Sequence, residues 1–177
     1  VCLIAFVREA RSDRPKLTAK LSLRSFPKRY YFFLAIVFVF TLGNSTDALL
    51  LVKASEVGIA QAMVPVVYLL FNGMSVLFAV PAGMLSDKIG RERLIIFGYL
   101  LYALVYLGFG ITRSPAWVVA LFVVYGVYSA STDSVQKALV TDIVDENMRG
   151  TGLGLYNFLV GITLLPASLI AGVLYDR

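Results

Sequence analysis

AMVPVVYLLFNGMSVLFAVPAGMLSDKIGRER, residues 62–93, decides what kind of fold this chain adopts. Positions 62–85 hold no Asp, Glu, Lys or Arg, whereas the eight positions that follow hold five: Asp87, Lys88, Arg91, Glu92 and Arg93. A helix needs roughly 20 mostly apolar residues to cross the hydrocarbon core of a bilayer. The first part therefore reads as a span and the second as the charged loop that stops it. Working outward, four more stretches of this kind lie near 30–52, 94–112, 117–139 and 151–175, each bounded by charge, Gly or Pro. Buried helices of soluble proteins rarely repeat at this length with almost no polar face. The expectation is an all-α membrane protein, a multi-span helix bundle.

Composition agrees and removes several function classes. Of 177 residues, 59% are hydrophobic and 15% charged, against about half and a quarter in soluble domains. There is no His and a single Cys, Cys2, so an internal disulfide, a Cys/His dyad and a zinc cluster are excluded. No metal site, cofactor or catalytic set is expected, and the chain does not read as an enzyme. Residues 1–7 (VCLIAFV) are apolar but too short to span, and they lack the basic start and cleavage site of a signal peptide. They read as the end of a helix that begins outside this sequence. The halt at Arg177 just after an apolar run reads as the edge of a fragment.

Basic residues orient the spans. Arg8, Arg11, Arg14, Lys16, Lys20, Arg24, Lys28 and Arg29 precede the first span, Lys88, Arg91 and Arg93 follow the second, and Lys137 and Arg149 flank the loop after the fourth. Alternating helices put these 13 on one side and only Lys53, Arg113 and Arg177 on the other. Cytoplasmic loops carry the Lys/Arg excess, so the first side is cytoplasmic. The net charge of +5 then belongs to the membrane surface rather than to nucleic acid. Residues 8–29 read as a basic cytoplasmic linker. Leu17, Leu21 and Phe26 between its charges leave open a short helix on the membrane surface. Tyr30, Tyr31 and Trp117 fit interfacial positions.

Polar residues inside a span are costly and mark a cavity or a helix contact. In the fourth span Tyr125, Tyr128, Ser129, Thr132, Asp133 and Gln136 recur at helical spacing and share one face. This stripe reads as the wall of a water-filled pathway, with a polar helix–helix contact as the rival reading. Asp133 and Lys137 stand four apart and can pair. In the outer half of the first span, Asn44 and Asp47 are candidate pathway residues, and Asp47 is a candidate proton carrier or a partner of Lys53. Asn72 in the second span touches either solute or a neighbouring helix. The third span holds no ionisable side chain other than its tyrosines and reads as lipid-facing. The fifth is rich in small residues, and Gly150 with Gly154 gives a GxxxG spacing that permits close approach.

Gly83-Met84-Leu85-Ser86-Asp87-Lys88-Ile89-Gly90-Arg91-Glu92-Arg93 resembles the G-x-x-x-D-[RK]-x-G-R-[RK] signature of the major facilitator superfamily. Its matching positions are Gly83, Asp87, Lys88, Gly90 and Arg91. Glu92 departs from the pattern, and Arg93 supplies the base one step later. The Asp142–Tyr156 stretch, with Arg149, resembles the family's second cytoplasmic loop leading into its eleventh helix. The resemblance implies the C-terminal six-helix half of a twelve-span fold, covering helices seven to eleven with the last helix missing. It implies a secondary transporter working by alternating access, ion- or proton-coupled, with efflux favoured over uptake. It also implies partners in the lipid bilayer, an N-terminal half of the same protein and a small solute. Residence in the plasma membrane and a latch made by Asp87 and Arg91 follow from it as well. A non-transporting receptor or scaffold sharing the fold is the alternative.

Overall fold

The structure is a computed structural model describing residues 26–44 and 47–175. Residues 1–25, and with them the expectations for 1–7 and most of the linker, lie outside the described residues, as does the side chain of Asp47. The described residues form six helices: α1 Lys28–Gly43, α2 Asp47–Glu56, α3 Val64–Ile89, α4 Arg91–Ile111, α5 Pro115–Ile143 and α6 Arg149–Tyr175. Single 3₁₀ turns, Gln61–Met63 and Glu146–Met148, lead into α3 and α6. Among the described residues there is no strand. Four helical stretches of the described residues, Gln61–Ile89, Arg91–Ile111, Pro115–Ile143 and Glu146–Leu169, are long and apolar enough to cross a membrane.

The span expected over 30–52 is two helices. Gly43 ends α1, and Asn44 leaves helical geometry at φ −92°, ψ 93°. The sequence Gly-Asn-Ser-Thr-Asp gives the reason. Glycine is the weakest helix former after proline, and the short polar side chains that follow compete for the backbone's own hydrogen bonds. Pro81 and Pro166, by contrast, sit inside helices that continue through them.

Gly90 joins α3 to α4 by itself. Its φ of +96° is open to glycine and strained for other residues. Its N–H caps Ser86 O at 3.0 Å, and its carbonyl accepts from Leu94 N at 3.3 Å. The long apolar helices therefore reverse across one residue, which brings the two charged ends together.

In lipid, apolar burial does not drive helices together, so close packing and polar contacts must. Helix α5 is the centre of the bundle, with half of its most apolar window buried, against 33% for α4 and 11% for α3. Its Gly126 lies under α3: a Cβ there would be 2.7 Å from Phe71 O and 2.7 Å from Met74 Cβ. Gly98 of α4 opens a notch filled by Thr132, whose Cγ2 would be 2.5 Å from an added Cβ. The two glycines singled out for packing from their spacing behave otherwise. An added Cβ at Gly150 or Gly154 meets nothing within 4 Å. The close glycine of α6 is Gly152, lying against Val144 with its carbonyl accepting from the Tyr30 hydroxyl at 2.8 Å.

Helix α4 is one-sided. Leu94, Ile95, Gly98, Tyr102, Val105 and Phe109 are buried, while Ile96, Phe97, Leu100, Leu104, Leu107 and Ile111 are exposed. That fits a peripheral helix, but α3 exposes still more, with Val66, Leu69, Val76, Leu77 and Val80 open on its surface. Two apolar cores result. One, towards the charged end, holds Tyr30, Phe33, Val37, Leu94, Val135, Val140 and Tyr156. The other, towards the far end, holds Val67, Phe71, Tyr102, Val105, Phe122, Tyr125 and Tyr128.

Candidate functional site: a polar cavity and a charged end of the bundle

Between the two cores lies an open cavity of about 370 Å³. Helix α5 supplies Tyr125, Tyr128, Ser129, Asp133 and Gln136 to its wall, α1 supplies Phe40 and Thr41, and Asn44 joins them from the break. Phe71 of α3 and Tyr156, Val160 and Leu164 of α6 complete it. Six of the candidate pathway residues thus meet in one place: Asn44, Tyr125, Tyr128, Ser129, Asp133 and Gln136.

Thr132 and Asn72 do not join them. Thr132 is fully buried in the Gly98 notch, and its hydroxyl donates to Tyr128 O at 3.0 Å. Its side chain is too short to reach past that contact. Asn72 Nδ2 donates to Tyr68 O in its own helix at 2.8 Å, outside the cavity wall. The i,i+4 pair of Asp133 with Lys137 is not among the ion pairs formed by the described residues. Instead, Ser75 of α3 donates to Ser129 at 3.2 Å and Ser129 donates to Asp133 Oδ2 at 3.0 Å. A relay of hydroxyls thereby orients the carboxylate.

Gln136 is buried and uses both ends of its amide. Its Oε1 accepts from the Tyr156 hydroxyl at 2.7 Å, and its Nε2 donates to the Tyr99 oxygen at 3.3 Å. One side chain thus ties α4, α5 and α6 at the edge of the cavity nearer the charged end. On the other side aromatic rings pack face to face: Phe71 with Tyr125 at 5.0 Å, Tyr125 with Tyr128 at 5.3 Å and Phe40 with Tyr99 at 3.7 Å between centroids. Such pairs add about 0.5–1.5 kcal/mol each beyond area burial. Asn44 Oδ1 is buried with no hydrogen-bond partner.

Sequence reasoning missed Phe40, Thr41, Phe71 and Tyr156. Each is an aromatic or a lone hydroxyl inside an apolar run, and nothing in a single sequence separates a ring facing a cavity from one facing lipid. Tyr156 is the exception in part, because it stands where α6 must pass Gln136.

At the charged end Arg91 bridges the helices. Its Nε donates to Asp142 Oδ2 at the end of α5, and its Nη2 lies 3.3 Å from Asp87 Oδ1 at the end of α3. One guanidinium, whose planar fork suits two carboxylates, thus bridges three helices. Glu92 pairs with Arg29 at 2.7 Å, which joins the start of α4 to the start of α1. Lys88, Gly90 and Arg93 stand beside these groups in a cleft of about 530 Å³. Arg149 turns away and donates from Nε to Thr141 O at 3.0 Å. Among the described residues no group of three or more acidic or thiol side chains is placed to hold a metal.

Comparison with known proteins agrees with this arrangement. Residues 31–177 match the sequence model of the Major Facilitator Superfamily. An uncharacterised MFS-type transporter of Methanocaldococcus jannaschii is 37% identical over 96% of this chain and 44% of its own length. An uncharacterised MFS-type transporter of Bacillus subtilis is 30% identical over 69% of this chain and 30% of its own length. Multidrug resistance protein MdtL of Shewanella oneidensis is 32% identical over 63% of this chain and 28% of its own length. The chain spans less than half the length of each of these relatives. With the charged turn at Gly90, the bridging Arg91 and the family match over residues 31–177, the chain is a multi-pass membrane protein that belongs to the Major Facilitator Superfamily.

Proposed function

We propose that this chain forms most of one half of a secondary transporter that moves a small solute by alternating access, and that the cavity along α5 is its share of the solute pathway. The observation that carries the reading is the cavity itself. It is open and polar on one wall, and the bundle closes it towards the cytoplasm through Gln136 and the Arg91 bridge. The opposite wall would come from an N-terminal half of the same protein. The exposed apolar faces of α3 and α6, with Leu69, Val76, Leu77, Leu165 and Leu169 in the open, suit burial against such a half and against lipid.

Asp87, Arg91 and Asp142 act in this reading as a cytoplasmic latch. Solute exchange with the cytoplasmic side requires the ends of α3 and α5 to part, and Arg91 holds them together. Exposed ion pairs contribute little to net stability, so such a latch can open on each cycle. The name of the multidrug resistance relative favours efflux, and the plasma membrane is the matching location. Asp47 and Asp133 are the candidate proton carriers of this reading.

The test is flux through proteoliposomes made with the full-length gene product. Solute movement driven by an imposed ion gradient, lost on Asp87→Asn with the protein still folded, supports the reading. A folded protein that binds solute but moves none under any gradient supports the receptor alternative.

A further inference from the structure

From the face that α6 turns to the cavity we infer that Asn157 is a solute-contacting side chain, and that the solute carries a carboxamide-type edge with a hydrogen-bond donor and acceptor side by side. The inference rests on the cavity being a solute site. Asn157 stands eight residues into α6, which begins at Arg149, a depth of roughly 12 Å at the helical rise. It is exposed, and its amide makes no hydrogen bond to the described residues. Other carboxamides of the spans are already engaged. Asn72 donates to Tyr68 O, and Gln136 is bonded at both ends. An amide turned to hydrocarbon with its hydrogen bonds unmade is costly, so Asn157 takes a partner from outside the described residues.

Its position on the helix says which. At about 100° per residue, Asn157 lies within roughly 20° of Leu164 and 60° of Val160 around the α6 axis, and both of those residues line the cavity with Tyr156. The amide thus extends the cavity wall around α6. Gly154 and Gly161, three residues before and four after, bring no side chain to screen it on that face. Asn44, elsewhere in the wall, has its Oδ1 buried without a donor. The unmet groups are therefore amides. A side-chain amide holds N–H donors and a carbonyl acceptor in one plane. The solute group that satisfies both at once is an edge of the same kind, as in a carboxamide or a urea. A ketone or an ether accepts from the amide nitrogen and leaves the amide oxygen unmet.

The experiment uses the full-length gene product in detergent and two probes of the same shape, 3-phenylpropanamide and 4-phenylbutan-2-one, which differ by an amino group in place of a methyl. Calorimetric titration should show the amide binding about 3- to 10-fold tighter than the ketone, the share of one hydrogen bond. Asn157→Leu should abolish that preference and leave the ketone within about twofold. The preference in the unaltered protein needs no variant, so a misfolded mutant does not spare the inference. Equal binding of the two probes, binding of neither, or a preference that survives in folded Asn157→Leu overturns it. Thiol labelling tests the contact separately, with Asn157→Cys in full-length protein whose other cysteines are replaced by serine. A permanently charged methanethiosulfonate should label this cysteine, and the amide probe should slow the labelling. Labelling by a membrane-permeant maleimide alone places the residue in lipid, and resistance to both reagents places it against another helix. Either result overturns the contact. Uptake into proteoliposomes separates the inference from the transport reading. Flux with the same amide-to-ketone ratio in Asn157→Leu leaves transport standing and removes the contact. Amide-selective binding without flux leaves the contact standing and removes transport.

Discussion

Replacing Gly126 by Ala tests whether the α3–α5 contact holds the bundle. The added methyl carbon would be 2.7 Å from Phe71 O, 2.7 Å from Met74 Cβ and 3.2 Å from Ser75 N. Non-bonded carbon atoms prefer roughly 3.5–4.0 Å, so the helices must part by about 1 Å. Two of the three obstructing atoms belong to the backbone and cannot rotate away. Overpacking of this kind costs about 1–3 kcal/mol. Parting also stretches the Ser75–Ser129 hydrogen bond, now 3.2 Å, which is worth about 1 kcal/mol. Against this, alanine is the better helix former by about 1 kcal/mol. The net loss comes to about 1–3 kcal/mol. Equilibrium unfolding of the full-length gene product in mixed micelles reads it, with Gly110→Ala as the control. A Cβ at Gly110 meets nothing within 4 Å, so that variant should be neutral or slightly stabilised. Equal stability of the two variants would refute the claim that backbone approach at Gly126 organises the helices.

Three further outcomes follow from the polar contacts. Gln136→Leu removes the partner of two tyrosine hydroxyls, and unfolding should register a loss of about 1–3 kcal/mol. Arg91→Ala should open the charged end, read as faster thiol labelling of a cysteine placed at Ala138, while changing unfolding by no more than about 1 kcal/mol, because its partners Asp87 and Asp142 are 65% and 50% exposed and can be hydrated. A double-mutant cycle on Arg29→Ala and Glu92→Ala should give a coupling under about 1 kcal/mol that fades at high salt; a salt-independent coupling would contradict the exposed geometry.

How much of this was legible depends on what each feature is made of. The spans could be read because charge is expelled from hydrocarbon, so runs without Asp, Glu, Lys or Arg mark them directly. The α5 stripe could be read because polar side chains in a span need a reason. Tyr125, Tyr128, Ser129, Asp133 and Gln136 of the stripe line one cavity, whereas Thr132 turns into the notch at Gly98, a contact set by the neighbouring helix and invisible in the spacing of α5. The break at Asn44 was hidden by the apolar residues on both sides, although the run from Gly43 to Asp47 was composed for it. Close-packed glycines were misread for a related reason. Spacing within α6 suggested Gly150 and Gly154, but which glycine meets a neighbour is fixed by how two helices cross. Glu92, which departs from the family pattern, proved to have its own partner in Arg29, a residue 63 positions away and beyond the reach of any local rule.

The single-residue joint at Gly90 makes α3 and α4 behave like the legs of a drawing compass. With no slack in the connection, a change in the angle between them must turn on the few torsions around that glycine. Helix α4 has 21 residues, a lever of roughly 31 Å at 1.5 Å per residue. A swing of about 5° at the pivot carries its far tip roughly 3 Å sideways, by the same helical rise. A small torsional adjustment among the charged residues at one membrane face thus becomes a displacement the size of an atom's diameter at the other.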